Sequence, residues 1–151
     1  MLQYYGADPE FSLEGKTAVI TGGAAGIGYE TAKFFAKKGV NLVLADLNPG
    51  VDEIAKELDP KAVGIAGDVT NGAYRQSVVD LGVKQFGQID ILVNCAGIVA
   101  LEKAELISES DWDRTMNINL KSSFMMAQLL GKYFIDNHVN GSIVNIASQA
   151  G

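Results

Sequence analysis

Residues 16–28 read Lys16-Thr-Ala-Val-Ile-Thr-Gly-Gly-Ala-Ala-Gly-Ile-Gly28, and this stretch decides the fold. A β-branched, apolar run ends at Thr21, four glycines follow within seven residues, and a helical pattern of apolar residues then begins. Glycine accepts positive φ and has no Cβ, so a phosphate can approach the backbone of such a turn closely. The free N–H groups and the dipole of the new helix point at the same spot. The stretch therefore predicts a strand, a turn suited to an anion such as a pyrophosphate, and a helix.

The spacing of these glycines leaves a second interpretation open. The pattern is G-x-x-x-G-x-G, which differs from the G-x-G-x-x-G of the common dinucleotide-binding turn. A glycine-rich turn can also join a strand to a helix and bind nothing. The remainder of the sequence has to separate the two interpretations.

Length, charge and cysteine content exclude several classes of protein. The 151 residues suit one domain, and 48% of them are hydrophobic. The net charge of −6 and the absence of a basic block argue against nucleic acid and anionic membranes as partners. The single cysteine, Cys95, cannot form an intrachain disulfide. Residues 1–9 lack the features of a signal peptide, and no apolar run is long enough to span a membrane. We expect a cytoplasmic protein.

Short apolar runs alternate with helical patterns along the chain. This rhythm indicates β-α-β units, and right-handed crossovers between them produce a doubly wound parallel sheet. The predicted fold is an α/β, Rossmann-type sheet, here its first five strands, with helices on both faces. Residues 1–15 are predicted to be an irregular N-terminal arm, and 16–151 to belong to one domain. The predicted strands are 16–21, 41–45, 62–66, 89–93 and 142–147.

Three helical patterns carry more specific predictions. Ile27, Thr31, Phe34 and Phe35 fall on one face of the first helix, which we expect to be buried. Ser110 is predicted to cap a helix that holds Trp112, and Thr70 or Asn71 to cap the third helix. A separate helix over 117–137 is apolar nearly all round, so we expect it to be buried on more than one side. The second side would contact either another subunit or another part of the protein.

The polar residues that follow the strands form the candidate site. Ligands of such sheets bind outside the carboxyl ends of the strands, where this sequence places Asp46, Asp68, Asn94 to Gly97, and Ser148. An aspartate after a strand is often only a turn former or a helix cap. Asp46 follows Gly28 by 18 residues, close to the spacing of the acid that binds a ribose 2′-hydroxyl. Its carboxylate would repel a 2′-phosphate, so NAD is favoured over NADP.

These motifs together resemble those of the short-chain dehydrogenase/reductase family, in its shorter single-domain branch. The resemblance extends over residues 14–151 and follows the family's order. The stretches that carry it are Thr21–Gly28, Asp68-Val69, Asn94-Cys-Ala-Gly97, Ile118-Asn-Leu120 and Gly141-Ser-Ile-Val-Asn-Ile-Ala-Ser148.

The resemblance implies a role for each motif. The glycine turn would hold the pyrophosphate, Asp68 and Val69 the adenine, and the backbone from Asn94 to Gly97 the ribose. Ser148 would hydrogen-bond the substrate oxygen, and Asn119 would support a proton relay. The resulting cofactor-binding candidates are Gly22, Ala25, Gly26, Ile27, Gly28, Asp46, Leu47, Asp68, Val69, Asn94, Ala96 and Gly97. The catalytic candidates are Ser148 and Asn119, and no metal site is expected.

The sequence departs from the family pattern in two places. The family usually has a second asparagine at Cys95, which we interpret as a small buried residue rather than a reactive thiol. The catalytic Y-x-x-x-K motif of the family does not follow the fifth strand; Tyr29 and Lys33 have the spacing but lie in the first helix. We therefore expect the chain to be the N-terminal part of a longer protein.

The function expected from these observations is NAD-dependent hydride transfer between an alcohol and nicotinamide. The substrate would be a small polyol, a sugar alcohol or a hydroxy-ketone, and the resemblance also allows a 3-oxoacyl thioester. A dinucleotide-binding module without turnover is the alternative if these 151 residues are the whole protein, and an inert fragment is a further one. The resemblance favours a homotetramer built partly on the long helix.

Overall fold

A computed structural model of the protein describes residues 12–148. The predicted arm, residues 1–15, lies mostly outside the described residues. In its last part Gly15 N donates a hydrogen bond to Gly39 O at 2.9 Å. The strands are β1 (Thr17–Thr21), β2 (Asn41–Asp46), β3 (Val63–Ala66), β4 (Ile91–Asn94) and β5 (Ser142–Asn145). The helices are α1 (Gly26–Ala36), α2 (Val51–Leu58), α3 (Gly72–Phe86), α4 (Glu109–Met116) and α5 (Ser122–Asp136). A short 3-10 turn, Ala104–Leu106, interrupts the connection from β4 to α4.

The five strands form one parallel sheet in the order β3-β2-β1-β4-β5, which confirms the predicted Rossmann-type fold. The strand order reverses between β1 and β4, so the carboxyl ends of these two strands border a crevice. Thr21 at the end of β1 is in register with Asn94 at the end of β4. Ligands of open α/β sheets bind at such a reversal.

Two apolar cores cover the two faces of the sheet. Alternate residues of each strand point to opposite faces, as Ile20 and Val19 do in β1. On one face Ile20 packs with Ala32 of α1 and Ala55 of α2. On the other face Val19 packs in a core with residues of α3 and α5. The strands β1, β2 and β4 can be apolar along most of their length because both of their faces are buried.

The buried face of α1 differs from the predicted one. Gly28 and Ala32 are buried, whereas the side chains of Ile27 and Phe34 are 62% and 54% exposed. A Cβ at Gly28 would lie only 2.1 Å from the carbonyl oxygen of Gly22. The helix therefore approaches the turn through its smallest residues, and this contact sets its rotation. Of the predicted apolar face, Phe35 does pack against the core.

The start of α4 also differs from the prediction. Ser108, not Ser110, caps the helix, because its Oγ accepts a hydrogen bond from Asp111 N at 3.1 Å. The predicted boundary before the long helix is absent. A π-helical turn, Asn117–Lys121, joins α4 to α5, and the residues at both junctions keep right-handed helical torsions. Asn71 is the cap of α3, where its side chain accepts from Ala73 N and Tyr74 N.

Within residues 12–148, α5 is buried on one side, and β5 is exposed at the edge of the sheet. Met126, Leu130 and Phe134 of α5 are buried against the sheet, whereas Phe124 is 62% exposed. The strand β5 stands at the edge of the described sheet, and its residues are exposed. The predicted burial of the helix on a second side is therefore not seen in this part of the chain. None of the helices described here has the length and apolar character needed to cross a membrane.

Candidate functional site

The glycine turn lies at the carboxyl end of β1 and depends on three of its glycines. Gly22 and Gly26 have φ of +65° and +54°, a region that favours glycine. A Cβ at Gly22 would lie 2.9 Å from Ala96 N, and a Cβ at Gly28 would lie 2.1 Å from Gly22 O. The turn thus packs directly on the segment that follows β4. Ala25, the N-cap residue of α1, provides no side-chain acceptor, so that an anion would meet the first backbone N–H groups of the helix.

Thr21 joins the turn to the segment after β4, and it is not among the site residues predicted from the sequence. Its buried Oγ1 accepts hydrogen bonds from Cys95 N and Ala96 N, both at 3.2 Å. These bonds hold the first residues after β4 beside Gly22. The signal available in the sequence was a polar residue at the end of an otherwise apolar strand.

Asp46 at the end of β2 is bound to the glycine turn. Its Oδ2 accepts a hydrogen bond from Ala24 N at 3.0 Å, and its Oδ1 accepts one from Asn48 N at 2.9 Å. The second bond is the turn-forming role that an aspartate often has at this place. The first bond crosses between two strand ends and holds the carboxylate beside the turn. Asp46 therefore has both a local role and a place in the cleft.

Asp68 follows β3 and orders its own loop. Its Oδ1 accepts hydrogen bonds from the backbone N and the Oγ1 of Thr70, each at 2.8 Å. Val69 follows directly, and its carbonyl oxygen accepts a bond from Arg75 Nη1 at 2.8 Å. The loop that carries Asp68 and Val69 is thus held from within and from α3.

Tyr74 is a further residue at this end of the sheet, and it is not among the site residues predicted from the sequence. Its hydroxyl donates to the carbonyl oxygen of Ile65 at 2.7 Å. Burial, together with the nearby carboxylates of Asp46 and Asp68, raises the pKa of Tyr74 to about 12. The phenol therefore stays protonated and remains a hydrogen-bond donor. Because Tyr74 lies inside a helix and not at a strand end, no pattern in the sequence marked it.

One cleft brings most of these residues together. It is open to solvent and has a cavity volume of about 120 Å³. Neither lysine, arginine nor histidine is among its lining residues. Seven of the predicted cofactor-binding residues line it, and Ala25, Gly26, Ile27, Gly28 and Asn94 do not. The lining residues are Gly22, Ala45, Asp46, Leu47, Gly67, Asp68, Val69, Tyr74, Ala96, Gly97, Ile98 and Ile118.

Asn94 is buried beneath the edge of the cleft. Its Nδ2 donates to Asn145 Oδ1 at 2.9 Å and to Ser123 O at 3.2 Å, and its Oδ1 has no partner in the described structure. The side chain therefore ties β4 to β5 and α5. Ala96 and Gly97, and not Asn94, line the cleft.

Asn119 and Ser148, the two catalytic candidates, lie on different elements. Asn119 stands in the π-helical turn, where its Oδ1 accepts from Ile98 N at 2.9 Å and its Nδ2 donates to Ile98 O at 2.8 Å. This pair of bonds anchors the start of the β4–α4 connection. Ser148 is exposed and lies three residues beyond the end of β5, at the same edge of the sheet.

Cys95 is half-buried beside the turn. Burial raises the pKa of its thiol, which disfavours the reactive thiolate. This agrees with its interpretation as a small packing residue. Among residues 12–148 no group of histidine, cysteine and acidic side chains could hold a metal ion.

Comparison with known sequences places the chain among dehydrogenases. Residues 16–151 match the family model described as short chain dehydrogenase. The chain is 41% identical over 150 residues to an NAD-dependent glycerol dehydrogenase of Listeria innocua, covering 99% of this chain and 59% of that protein. It is 43% identical over 152 residues to a D-threitol dehydrogenase of Mycolicibacterium smegmatis, covering 98% and 58%. The chain thus spans about three fifths of the length of these relatives.

Solved structures share the same fold. A short chain dehydrogenase from Bacillus anthracis matches with a TM-score of 0.87 and 30% identity, over 93% of this chain and 60% of that one. A 3-ketoacyl-(acyl-carrier-protein) reductase from Brucella melitensis, complexed with NADH, matches with a TM-score of 0.84 and 34% identity, over 91% and 59%. With the family model matched over 16–151 and the glycine turn in place at the strand reversal, the chain belongs to the short-chain dehydrogenase family.

Proposed function

We propose that this chain binds NAD and takes part in hydride transfer between an alcohol and nicotinamide. The observation that carries the proposal is the Asp46 carboxylate, held 3.0 Å from Ala24 N in a cleft that no cationic side chain lines. An acid at this place accepts hydrogen bonds from a ribose 2′-hydroxyl and repels a 2′-phosphate. NAD is therefore the expected dinucleotide, and NADP the disfavoured one.

The residues of the turn fit a dinucleotide. A Cβ at Gly22 or Gly28 would lie within 3 Å of backbone atoms. The chain can therefore adopt this backbone conformation only with glycine at both positions. The pyrophosphate would lie against Gly22 and the first turn of α1, which begins at Gly26 and Ile27. Leu47, Asp68 and Val69 would enclose the adenine, and Ala96 and Gly97 would border the nicotinamide ribose. When bound, NAD supplies the acceptor for the hydride.

The proposed substrate is a polyol, a sugar alcohol or a hydroxy-ketone. This rests on two relatives, which are named glycerol and D-threitol dehydrogenases. Ser148 would donate a hydrogen bond to the substrate oxygen, and Asn119 would support the proton relay. The proton itself requires an acid or base such as the tyrosine of the Y-x-x-x-K motif. We propose that residues 16–151 belong to one NAD-binding domain and that this tyrosine and its lysine lie outside them.

A 3-oxoacyl thioester reductase is the second candidate. It is favoured by the structural similarity to the NADH-bound 3-ketoacyl-(acyl-carrier-protein) reductase. Reduction of an acetoacetyl thioester by the protein, with no oxidation of polyols, would select this candidate. Binding of NADH without turnover of either substrate class would select a dinucleotide-binding module.

We also propose that the protein is a homo-oligomer, and specifically a tetramer. Four apolar side chains spaced four residues apart run along α4, the π-helical turn and α5. They are exposed by between 36% and 62%, and association of subunits would bury them. They are Trp112, Met116, Leu120 and Phe124.

The cytoplasm is the proposed location of the protein, because its reducing conditions suit a sequence whose single cysteine is Cys95.

Titration of the protein with NADH tests the cofactor proposal. Trp112 is the only tryptophan, so its emission, together with the fluorescence of NADH, reports binding. We expect saturable binding of NADH and at least about tenfold weaker binding of NADPH, a difference of about 1.4 kcal/mol. Absence of saturable NADH binding, checked by calorimetry, would overturn the proposal. Equal affinity for NADPH would overturn the preference assigned to Asp46.

A further inference from the structure

The side chain of Tyr74 runs from the first turn of α3 back beneath the β3–α3 loop. Its hydroxyl donates to Ile65 O at 2.7 Å, near the end of β3. Its ring lies against Gly67, where an added Cβ would come within 2.3 Å of ring atom Cδ2. The ring thus occupies the space beside Gly67, the residue immediately before Asp68.

Two neighbours of Tyr74 hold the far end of the same loop. Arg75 donates from Nη1 to Val69 O at 2.8 Å, and Asn71 caps the helix through Ala73 N and Tyr74 N. The loop between Ile65 and Asn71 is therefore attached to the start of α3 at both of its ends. Its conformation depends on α3 as much as on the strand that precedes it.

Tyr74 also borders the cleft between two carboxylates. It lines the cleft together with Asp46 and Asp68, and both carboxylates lie close enough to act on its phenol electrostatically. The neutral phenol of Tyr74 can order the loop without placing a further charge beside Asp46 and Asp68. Both carboxylates therefore stay available to a ligand. The site residues that flank it, Asp46 and Asp68, are those assigned to the ribose and the adenine.

We propose that Tyr74 is a positioning residue for the adenosine half of the dinucleotide, acting by holding the loop that presents Asp68 and Val69. This inference rests on the proposed function. It predicts that loss of the Tyr74 hydroxyl weakens binding of the adenosine half and leaves binding of the nicotinamide half unchanged. A general structural role would weaken both halves or neither.

The test compares Tyr74→Phe with the matched control Tyr133→Phe. Tyr133 is a suitable control because its hydroxyl also bonds a backbone group, Ile89 N at 3.4 Å, at the opposite end of the sheet. The ligands are NADH, ADP-ribose, which lacks nicotinamide, and reduced nicotinamide mononucleotide, which lacks adenosine. For Tyr74→Phe we expect the Kd of NADH and of ADP-ribose to rise about three- to tenfold, the worth of one hydrogen bond. The Kd of the mononucleotide should change less than about twofold, and Tyr133→Phe should change none of the three.

A second variant tests the ring instead of the hydroxyl. Gly67→Ala keeps Tyr74 but places a methyl group in the space of its ring, so it should weaken ADP-ribose binding in the same direction. Unchanged ADP-ribose binding in both Tyr74→Phe and Gly67→Ala would overturn the inference while NADH binding by the unmodified protein upholds the proposed function. An equal loss for the mononucleotide, or an equal loss in Tyr133→Phe, would also overturn it. No NADH binding by the unmodified protein would instead overturn the proposed function.

Discussion

Gly28 packs directly against the backbone of Gly22 in the glycine turn, and Gly28→Ala perturbs this contact. The new Cβ would lie 2.1 Å from Gly22 O and 2.8 Å from Gly22 C. An ordinary carbon–oxygen contact needs about 3.4 Å, so the turn and the helix must separate by about 1.3 Å. Both contacting atoms belong to the backbone, and no side-chain rotation can relieve the overlap.

The expected cost follows from this displacement. Overpacking of a tightly packed site costs about 1–3 kcal/mol. For a chain of this size, 1 kcal/mol corresponds to about 2–4 °C in Tm, so a loss near 2 kcal/mol lowers Tm by about 4–8 °C. The turn that would hold the pyrophosphate also moves away from the first N–H groups of α1. Loss of one or two hydrogen bonds to the anion should raise the Kd of NADH at least about tenfold.

The assay is a pair of measurements on two matched variants. Thermal unfolding followed by circular dichroism gives Tm, and NADH titration gives Kd. The control is Gly131→Ala, the same substitution within α5, where an added Cβ meets nothing within 4 Å. There alanine should raise stability by about 0.5–1 kcal/mol, because it lowers the entropy of the unfolded chain and favours a helix.

Two results would refute this reasoning. If Gly28→Ala keeps both Tm and the Kd of NADH within error of the unmodified protein, the close contact does not constrain the turn. If Gly131→Ala lowers Tm as much as Gly28→Ala does, the fall in Tm is common to glycine-to-alanine changes in helices and does not arise from the contact of Gly28 with Gly22.

Two further predictions concern carboxylates. Asp46→Ala should reduce the preference for NADH over NADPH at least about tenfold, because it removes the charge that would repel a 2′-phosphate; an unchanged ratio of the two Kd values would contradict the role of Asp46. At Asp52 the hydrogen bond from Lys56, and next that from Gly64 N, lower the pKa of the carboxyl below its ordinary 3.8. Its stabilisation is therefore present above that value and is lost as the pH falls through the lowered folded-state pKa. Between about pH 5 and pH 2.5 the Tm of Asp52→Asn should fall less than that of the unmodified protein, and equal falls would show that this carboxyl contributes nothing.

Local patterns in the sequence predicted much of the candidate site. The ends of apolar strands predicted that Asp46 and Asp68 lie at one edge of the sheet, and both line the cleft, because parallel strands bring their carboxyl ends together. Periodicity alone assigned the buried face of α1 wrongly, since the close contact of Gly28 with Gly22, and not the apolar content of the helix, sets its rotation. Tyr74 could not be predicted, because its importance lies in contacts with Ile65 and Gly67 that helical spacing does not reveal.

The sequence by itself therefore determined the alternation of strands and helices, the parallel sheet and the glycine turn after β1. These depend on residue types at short spacing, which act through backbone torsion and the burial of alternate side chains. Only the tertiary structure decided that Ser108 caps α4, that a π-helical turn joins α4 to α5, and that Asn94 pairs with Asn145. Asn94 and Asn145 are 51 positions apart, so local spacing does not reveal that they meet. The Ser108 cap and the π-helical turn are local features, and the pattern of residue types did not distinguish them from the Ser110 cap and the separate long helix that were predicted.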